Sequence, residues 1–339
     1  MKQKKSITVL MCVYNGERFL VEQLESIRNQ TCQPEEVIIY DDCSTDSSIK
    51  IINQFINKNN LSSSWKININ LFRKGWRLNF YDAIAECNSD YIFFCDQDDI
   101  WYSDKISIMM ETMQKKSSIL VLTGFLKPID ADGYFINIKG WLTNNIYDLK
   151  INKSNFGETI FVWKQRIGCT MAIRKTIKEQ LKYFERNENF VHDVWALNIG
   201  SLLGGCYHIN YPVIQYRVHE NNATAEHKSK MKNRKERILE LENKVKYLEY
   251  INNGIRLMKE DLINQNEYSI FLKAVSLYKY KLYSIKNFKV TGIFGLIPYI
   301  KIYYKYISFK QLIIDILEIL NLFDRARIIK LLGKKSNIQ

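Results

Sequence analysis

Between Tyr91 and Trp101 the chain reads YIFFCDQDDIW: a mostly apolar run of five residues leads straight into Asp96, Asp98 and Asp99. Such a run, bounded by a polar turn, predicts a buried strand over Tyr91–Cys95. The three carboxylates at its tip repel one another, and without a counter-charge at least one takes up a proton. A divalent cation relieves the repulsion. Hard carboxylate oxygens suit Mg²⁺ or Mn²⁺, and Mg²⁺ is commonly held by one or two carboxylates together with substrate phosphates. Asp96-Gln97-Asp98 at a strand tip therefore points to a metal–diphosphate site. Taken alone, the same residues also read as a solvated acidic turn in which Asp99 caps the next helix.

The carboxylates need a scaffold, and the flanking sequence supplies one. Ile7–Tyr14 is an apolar run ending at Asn15-Gly16, and Glu17–Asn29 carries Phe19, Leu20, Leu24 and Ile27 at helical spacing. Val37–Tyr40 is a short apolar strand ending at Asp41-Asp42; Ser44 to Ser48 then offer capping chemistry before a helix over Ile49–Ile56. Ile67–Phe72 predicts a strand and Asn79–Ala85 a helix. The order β-α-β-α-β-α-β predicts an α/β fold with a parallel sheet and helices on both faces. Ligands of such sheets bind at the carboxyl ends of the strands. Tyr14-Asn15-Gly16, Asp41-Asp42 and Asp96–Asp99 all fall there, so three separated stretches converge on one cleft. Arg73, Lys74 and Arg77 flank Gly75 in the loop before the Asp96 strand; these cations, Arg77 among them, read either as diphosphate contacts or equally as solvated loop charges.

Beyond Thr123 the pattern is less regular. Ile129–Tyr134 reads as a hairpin-like turn, and Gly168–Ile173 as a strand with a small-residue entry. An apolar helix follows Phe190-Val191-His192-Asp193-Val194-Trp195, and a last strand spans Tyr211–His219. By itself Asp193 reads as a helix N-cap and His219 as a strand-end histidine. Trp101 and Trp195 are either core or sugar-packing residues.

Composition narrows the class. The 339 residues are 46% hydrophobic, enough to bury a core. The seven cysteines are scattered with no CxxC pair, which fits reduced core thiols in a cytosolic protein. The N-terminus lacks the apolar length of a signal peptide, and no segment reaches the roughly 18 apolar residues of a membrane span. No GxGxxG is present, which disfavours a NAD-binding oxidoreductase. Asn15-Gly16-Glu17-Arg18 is not the Gly-rich basic loop expected of a sugar nucleotidyltransferase, the alternative enzyme.

Three stretches, LMCVYNGERFLVEQLESIRNQT, IIYDDCSTDSS and YIFFCDQDDIWYSDK, together resemble the inverting nucleotide-sugar glycosyltransferases of family 2, which have the GT-A fold. The likeness is to bacterial rhamnosyltransferase-like members that build surface polysaccharides, and it spans about residues 5–225. It implies that Tyr14 stacks on the nucleotide base and that Asp42 hydrogen-bonds the base edge. It places Asp96 near the ribose and Asp98 on the metal, with Asp99 in support. HDVW is similar to the family's catalytic region and makes Asp193 the general base. YRVHENN is similar to a segment near the diphosphate, making His219 a metal or diphosphate ligand, with Arg217 and Asn222 as weaker candidates. Val218 stands where the family commonly has Gln or a small residue. Gly168-Cys169-Thr170 would line the acceptor pocket. The implied cofactor is Mn²⁺ or Mg²⁺, and the implied donors are dTDP-rhamnose or a UDP-hexose.

The chemistry agrees with this cast. Breaking the bond from anomeric carbon to diphosphate leaves charge to be stabilised. A hydroxyl acceptor needs a carboxylate to take its proton. One base on the face opposite the leaving group gives inversion in a single step.

The charge is concentrated at one end. Lys228 to Gln339 holds 23 lysines and arginines against 10 acidic residues, which accounts for the whole formal charge of +13. Two domains are therefore expected, a GT-A catalytic domain over 1–226 and a basic, Tyr/Lys-rich helical region over 227–339. In the latter, Ile238, Leu241, Val245, Leu248, Ile255 and Leu262 follow a heptad-like spacing suited to a homodimer or to packing on the catalytic domain. LYKYKLYSIKNFKV and PYIKIYYKYISFK interleave aromatics with lysine, a pattern of interfacial helices on anionic lipid. A nucleic-acid-binding protein would use the same residues, but beside a transferase domain no nucleic-acid partner is expected. The expected partner is a lipid-linked glycan acceptor, and the expected location is cytoplasmic, peripheral on the inner face of the plasma membrane.

Overall fold

The computed structural model describes residues 5–138, 149–155, 167–220, 222, 234–287 and 290–320. The chain divides into two compact units. The first runs to Asn221 apart from residues 156–163, and the second, which includes that segment, begins at Asn222. The sequence boundary expected at 226/227 lies outside the described residues.

In the first unit β1 (Ile7–Val13), β2 (Glu36–Asp41), β3 (Trp65–Ile69) and β4 (Tyr91–Cys95) alternate with helices α1 (Leu20–Arg28), α2 (Ser48–Lys58) and α3 (Trp76–Glu86). β1 pairs in parallel with both β2 and β4, and β3 lies outside β2. The chain thus winds outward from β1 in one direction and starts β4 on the other side. That reversal opens a crevice at the carboxyl ends of β1 and β4. Register sets Met11 beside Cys95 and Val13 beside Asp41, so Tyr14, Asp42 and Asp96 leave the sheet at one edge. The apolar runs make a continuous core: Val9, Met11, Val37, Ile39, Phe93 and Cys95 are fully buried. Two turns at this edge take positive φ, Asn15 at 48° and Cys43 at 63°. Asn accepts this conformation at little cost, and here its Oδ1 accepts a hydrogen bond from the Thr45 amide at 2.8 Å.

The second half of the sheet departs from the parallel expectation. β5 (Ile100–Trp101) precedes helix α4 (Lys105–Lys115), and β6 (Val121–Ile129), β7 (Ile151–Lys153), β8 (Met171–Arg174) and β9 (Cys206–Arg217) complete the order β3-β2-β1-β4-β8-β6-β9-β5, with β7 on β9. β8 is antiparallel to β4 and β6, so the sheet is mixed. The reversal has a positional consequence. An antiparallel neighbour begins where β4 ends, which delivers Gly168–Thr170, a short 3₁₀ turn rather than the start of a strand, to the Asp96 edge. β5 likewise pairs antiparallel with Ile214 and Gln215 of β9 and brings the end of that strand to the same place.

The second unit is helical. Arg234–Leu257 and Gln265–Asn287 are followed by a 3₁₀ segment Val290–Tyr299 and helices Ile300–Tyr306 and Phe309–Ile319. Leu241, Val245, Leu248 and Ile255 of the heptad-like face are buried within the single chain. Some of the tail's cations are also internal. Lys281 pairs with Asp315 at 2.6 Å, and Arg237 with Glu240 at 2.9 Å and Glu318 at 3.2 Å. Among the described residues, no helix is long and apolar enough to cross a membrane.

Candidate active site

The turn after β4 carries the carboxylates. Asp98 is 9% exposed and its Oδ2 lies 2.8 Å from Nε2 of His219. The His219 ring packs on Phe19 at 4.8 Å between centroids. Two residues 121 positions apart are thus held as an oxygen–nitrogen donor pair. Asp99 is fully buried: Oδ1 accepts the Arg217 amide at 3.0 Å, while Oδ2 has no hydrogen-bond partner. Burial, together with the charges of Asp98 and Asp96, raises its carboxyl above the ordinary range.

Asp96 is half-buried, and burial pushes its carboxyl up to about 7, with the charges of Asp98 and Asp193 adding to the effect. Asp193 therefore shares the cleft with the 96–99 turn. It lies in the first turn of the helix His192–Leu202, one residue inside it and not at the N-cap. Its Oδ2 accepts the Gly168 amide at 3.1 Å and its Oδ1 the Val194 amide at 2.7 Å. Carboxylates at a helix N-terminus are favoured by the dipole and by unpaired amides.

Tyr14 follows β1, and its backbone is braced by Gln97: the Tyr14 amide donates to Oε1 at 2.8 Å and its carbonyl accepts from Nε2 at 3.1 Å. The ring of Tyr14 is covered by the guanidinium of Arg73 at 3.8 Å. Asp42 anchors the following loop, accepting from the Lys74 and Gly75 amides at 2.7 Å each and from Asn70 at 3.0 Å. A carboxylate has about four acceptor positions, so one remains open. Arg77 is placed differently from Arg73: it donates to the Glu188 carbonyl at 3.0 Å and lies over Trp76. Of the loop cations, Arg73 is the one against an expected donor-site residue.

Arg217 is 1% exposed and spent inside the protein. It donates to the carbonyls of Asp98 at 2.9 Å and Ala131 at 2.9 Å, and to the carboxylate of Glu22. It clamps β9 to the Asp98 turn and to α1. Asn222 falls in the second unit. Trp101 and Trp195 are both buried in the core.

Sequence reasoning missed Gln97 and Lys105. The Lys105 ammonium is buried, donates to the Cys169 carbonyl at 2.6 Å and lies 3.3 Å from the centre of the Trp101 ring. Burial pulls it down to about 8, and Asp99 and Asp96 hold it up. A buried cation behind an acidic turn has no local sequence signature.

The donor chemistry of Asp98 and His219, a carboxylate oxygen and a ring nitrogen 2.8 Å apart, fits a divalent cation. Ligand atoms of Asp96, Asp99 and Cys169 also lie within 4.8 Å of one another. Burial raises the Cys169 thiol well above its usual range, so it stays protonated and is a poor ligand for Mg²⁺ or Mn²⁺.

His192 gives a pH prediction. It is 5% exposed and stacks on Phe80 at 3.8 Å, and burial pulls its imidazole down to about 4 from 6.5. The unfolded chain binds this proton more readily, so the stability from a neutral His192 is complete above about pH 6.5 and is lost as pH falls toward 4. The loss is about 3 kcal/mol. Urea denaturation at pH 7 and pH 4 should show a smaller pH-linked loss in His192→Leu than in the native protein. An equal loss in both would remove His192 as its source.

The family described as "Glycosyl transferase family 2" matches residues 8–181, more than half of the sequence. The chain belongs to this family. It is 32% identical over 229 residues to the dTDP-rhamnosyl transferase RfbG of Shigella flexneri, a match covering 62% of this chain and 72% of that protein. Among solved structures it resembles S. aureus TarS in complex with UDP-GlcNAc, with a TM-score of 0.62 at 14% identity, covering 98% of this chain and 92% of that one. It also resembles a mannosyltransferase from Pyrobaculum calidifontis in complex with GDP-Man and Mn²⁺, with a TM-score of 0.50 at 14% identity over 96% and 87% of the chains. The fold is of the GT-A type.

Proposed function

We propose that this glycosyltransferase moves a sugar, rhamnose from dTDP or a hexose from UDP, to a hydroxyl of a lipid-linked glycan, with inversion and with a divalent cation. The observation that carries the reading is the convergence of Asp96, Asp98, Asp193 and His219 on one strand edge, with Asp98 and His219 2.8 Å apart.

Asp98 and His219 would hold the cation, with Asp99 in support. When bound, it neutralises charge on the departing diphosphate. Asp193 takes the proton of the acceptor hydroxyl as that oxygen attacks the anomeric carbon. The bond from that carbon to the phosphate oxygen breaks, and its electron pair leaves with the nucleoside diphosphate. Tyr14 and Asp42 flank the base, with Arg73 and the Lys74–Gly75 amides fixing their positions; Asp96 faces the ribose. Support for these donors comes from the Shigella relative, named a dTDP-rhamnosyl transferase, and from the UDP-GlcNAc held by TarS. A role in cell-surface polysaccharide synthesis, at the cytoplasmic membrane surface, follows from a lipid-linked acceptor.

Calorimetric titration with UDP and with dTDP tests this, in Mn²⁺ or Mg²⁺ and then in EDTA. Binding should weaken at least about tenfold on chelation, the lower end of what a disturbed metal site costs, and the preferred nucleotide narrows the donor. A folded protein that binds neither would overturn the reading.

A further inference from the structure

The second unit has an outward surface that its internal ion pairs do not use. From Tyr268 to Ile314 the sequence contains no carboxylate, while lysine occurs at eight positions. Within this stretch, the inward side of Val290–Tyr299 and Ile300–Tyr306 is accounted for, since Leu296, Ile302, Tyr303 and Tyr306 join the unit's core. The outward side is apolar as well. Phe294 is 70% exposed, Ile297 57%, Tyr304 90% and Phe309 71%, with Ile300 half-exposed between them. Side chains three apart eclipse on a 3₁₀ helix, and those four apart share a face of an α-helix. Phe294 with Ile297, and Ile300 with Tyr304, are therefore neighbours on the outside. Lys301, Lys305 and Lys310 are exposed among them. An open depression lined by Ser269, Leu272, Lys273, Ser276, Pro298 and Tyr299 lies in the same unit.

A surface facing water normally puts polar residues outside and apolar ones inside. Here both sides are apolar, and among the described residues of this stretch every charged side chain on the outer side is a lysine. We propose that Phe294, Ile297, Ile300, Tyr304 and Phe309, framed by Lys301, Lys305 and Lys310, dock this protein on a bilayer containing anionic phospholipid. Aromatic and aliphatic side chains enter the headgroup boundary, and the lysine amines reach the phosphates. A second copy of the chain fits less well, because an isologous contact would set this cationic face against itself. A nucleic acid would find Tyr304 to stack on, but nothing to do with Ile297 and Ile300. The inference deepens the reading of a membrane-borne acceptor, on which it rests for its purpose.

Flotation of the full chain with vesicles tests it, using phosphatidylcholine alone and phosphatidylcholine with phosphatidylglycerol. The native protein should float with the anionic vesicles and stay behind with the neutral ones. Lys301→Gln/Lys305→Gln/Lys310→Gln should weaken binding on the order of a hundredfold at low salt, from about 1 kcal/mol per lysine. Phe294→Ser/Tyr304→Ser/Phe309→Ser should weaken it at least about tenfold. All six positions are exposed, and unchanged nucleotide binding by both variants confirms that the catalytic unit is intact. Native binding that neither variant alters would overturn the surface, as would a dimer that the serine variant dissociates without any native vesicle binding. Vesicle binding by a protein that transfers no sugar would keep the surface and overturn the proposed function instead.

Discussion

Asp193→Asn should lower sugar transfer by about a thousandfold and leave nucleotide affinity within a few-fold of the native value. General-base catalysis contributes roughly 10²–10⁴-fold, and Asn keeps the volume of the side chain while losing the lone pair that accepts the proton. The site makes this substitution more informative than an alanine change. Both carboxylate oxygens receive amides, from Val194 at 2.7 Å and Gly168 at 3.1 Å. An Asn can satisfy one of them with its oxygen, and its NH₂ then faces the other donor. Some local displacement is expected, so nucleotide binding must be read on the same protein. Loss of transfer with retained binding assigns Asp193 to the chemical step. Loss of both would make it a support for the Gly168 turn.

The strand tips that carry the donor-site candidates were legible because those elements are local and periodic. β4 spans the residues expected from YIFFC, and β1 and β2 end within a residue of the expected tips. Local runs cannot show which distant segments close the cleft. β8 is four residues long, begins in a 3₁₀ turn and runs against β4. Only that reversal explains why Gly168 reaches Asp193. The resemblance of YRVHENN to a segment near the diphosphate made Arg217 a weaker candidate there, and a charged strand end carries no sign of burial. Its partners, Glu22 and the carbonyls of Asp98 and Ala131, come from three separate parts of the chain. Asp42 stands where a base contact was expected, yet much of its acceptor capacity goes to fixing the Lys74–Gly75 loop. One carboxylate can do both, and its sequence position announces only one.

Asp98→Ala should abolish the dependence of nucleotide binding on Mn²⁺, bringing affinity in metal down to that in EDTA. Removing a single residue that hydrogen-bonds to a metal ligand already costs about 10–100-fold in metal affinity, so loss of a direct ligand should exceed that. His219→Ala should give the same phenotype, because the two side chains form one donor pair at 2.8 Å. The readout need not be activity. A cation that binds only the folded protein raises its melting temperature by mass action, so the Mn²⁺-induced shift of the native protein should vanish in both variants. Without metal, Asp98→Ala has a second consequence. The Asp98 charge helps hold the Asp96 carboxyl up near 7, so its removal lets Asp96 ionise at lower pH. Carbon-13 chemical shifts of the aspartate carboxyls would follow this titration. A variant that keeps its Mn²⁺ shift while Asp96 moves would place the cation at the neighbouring Asp96–Asp99 pair and not at His219.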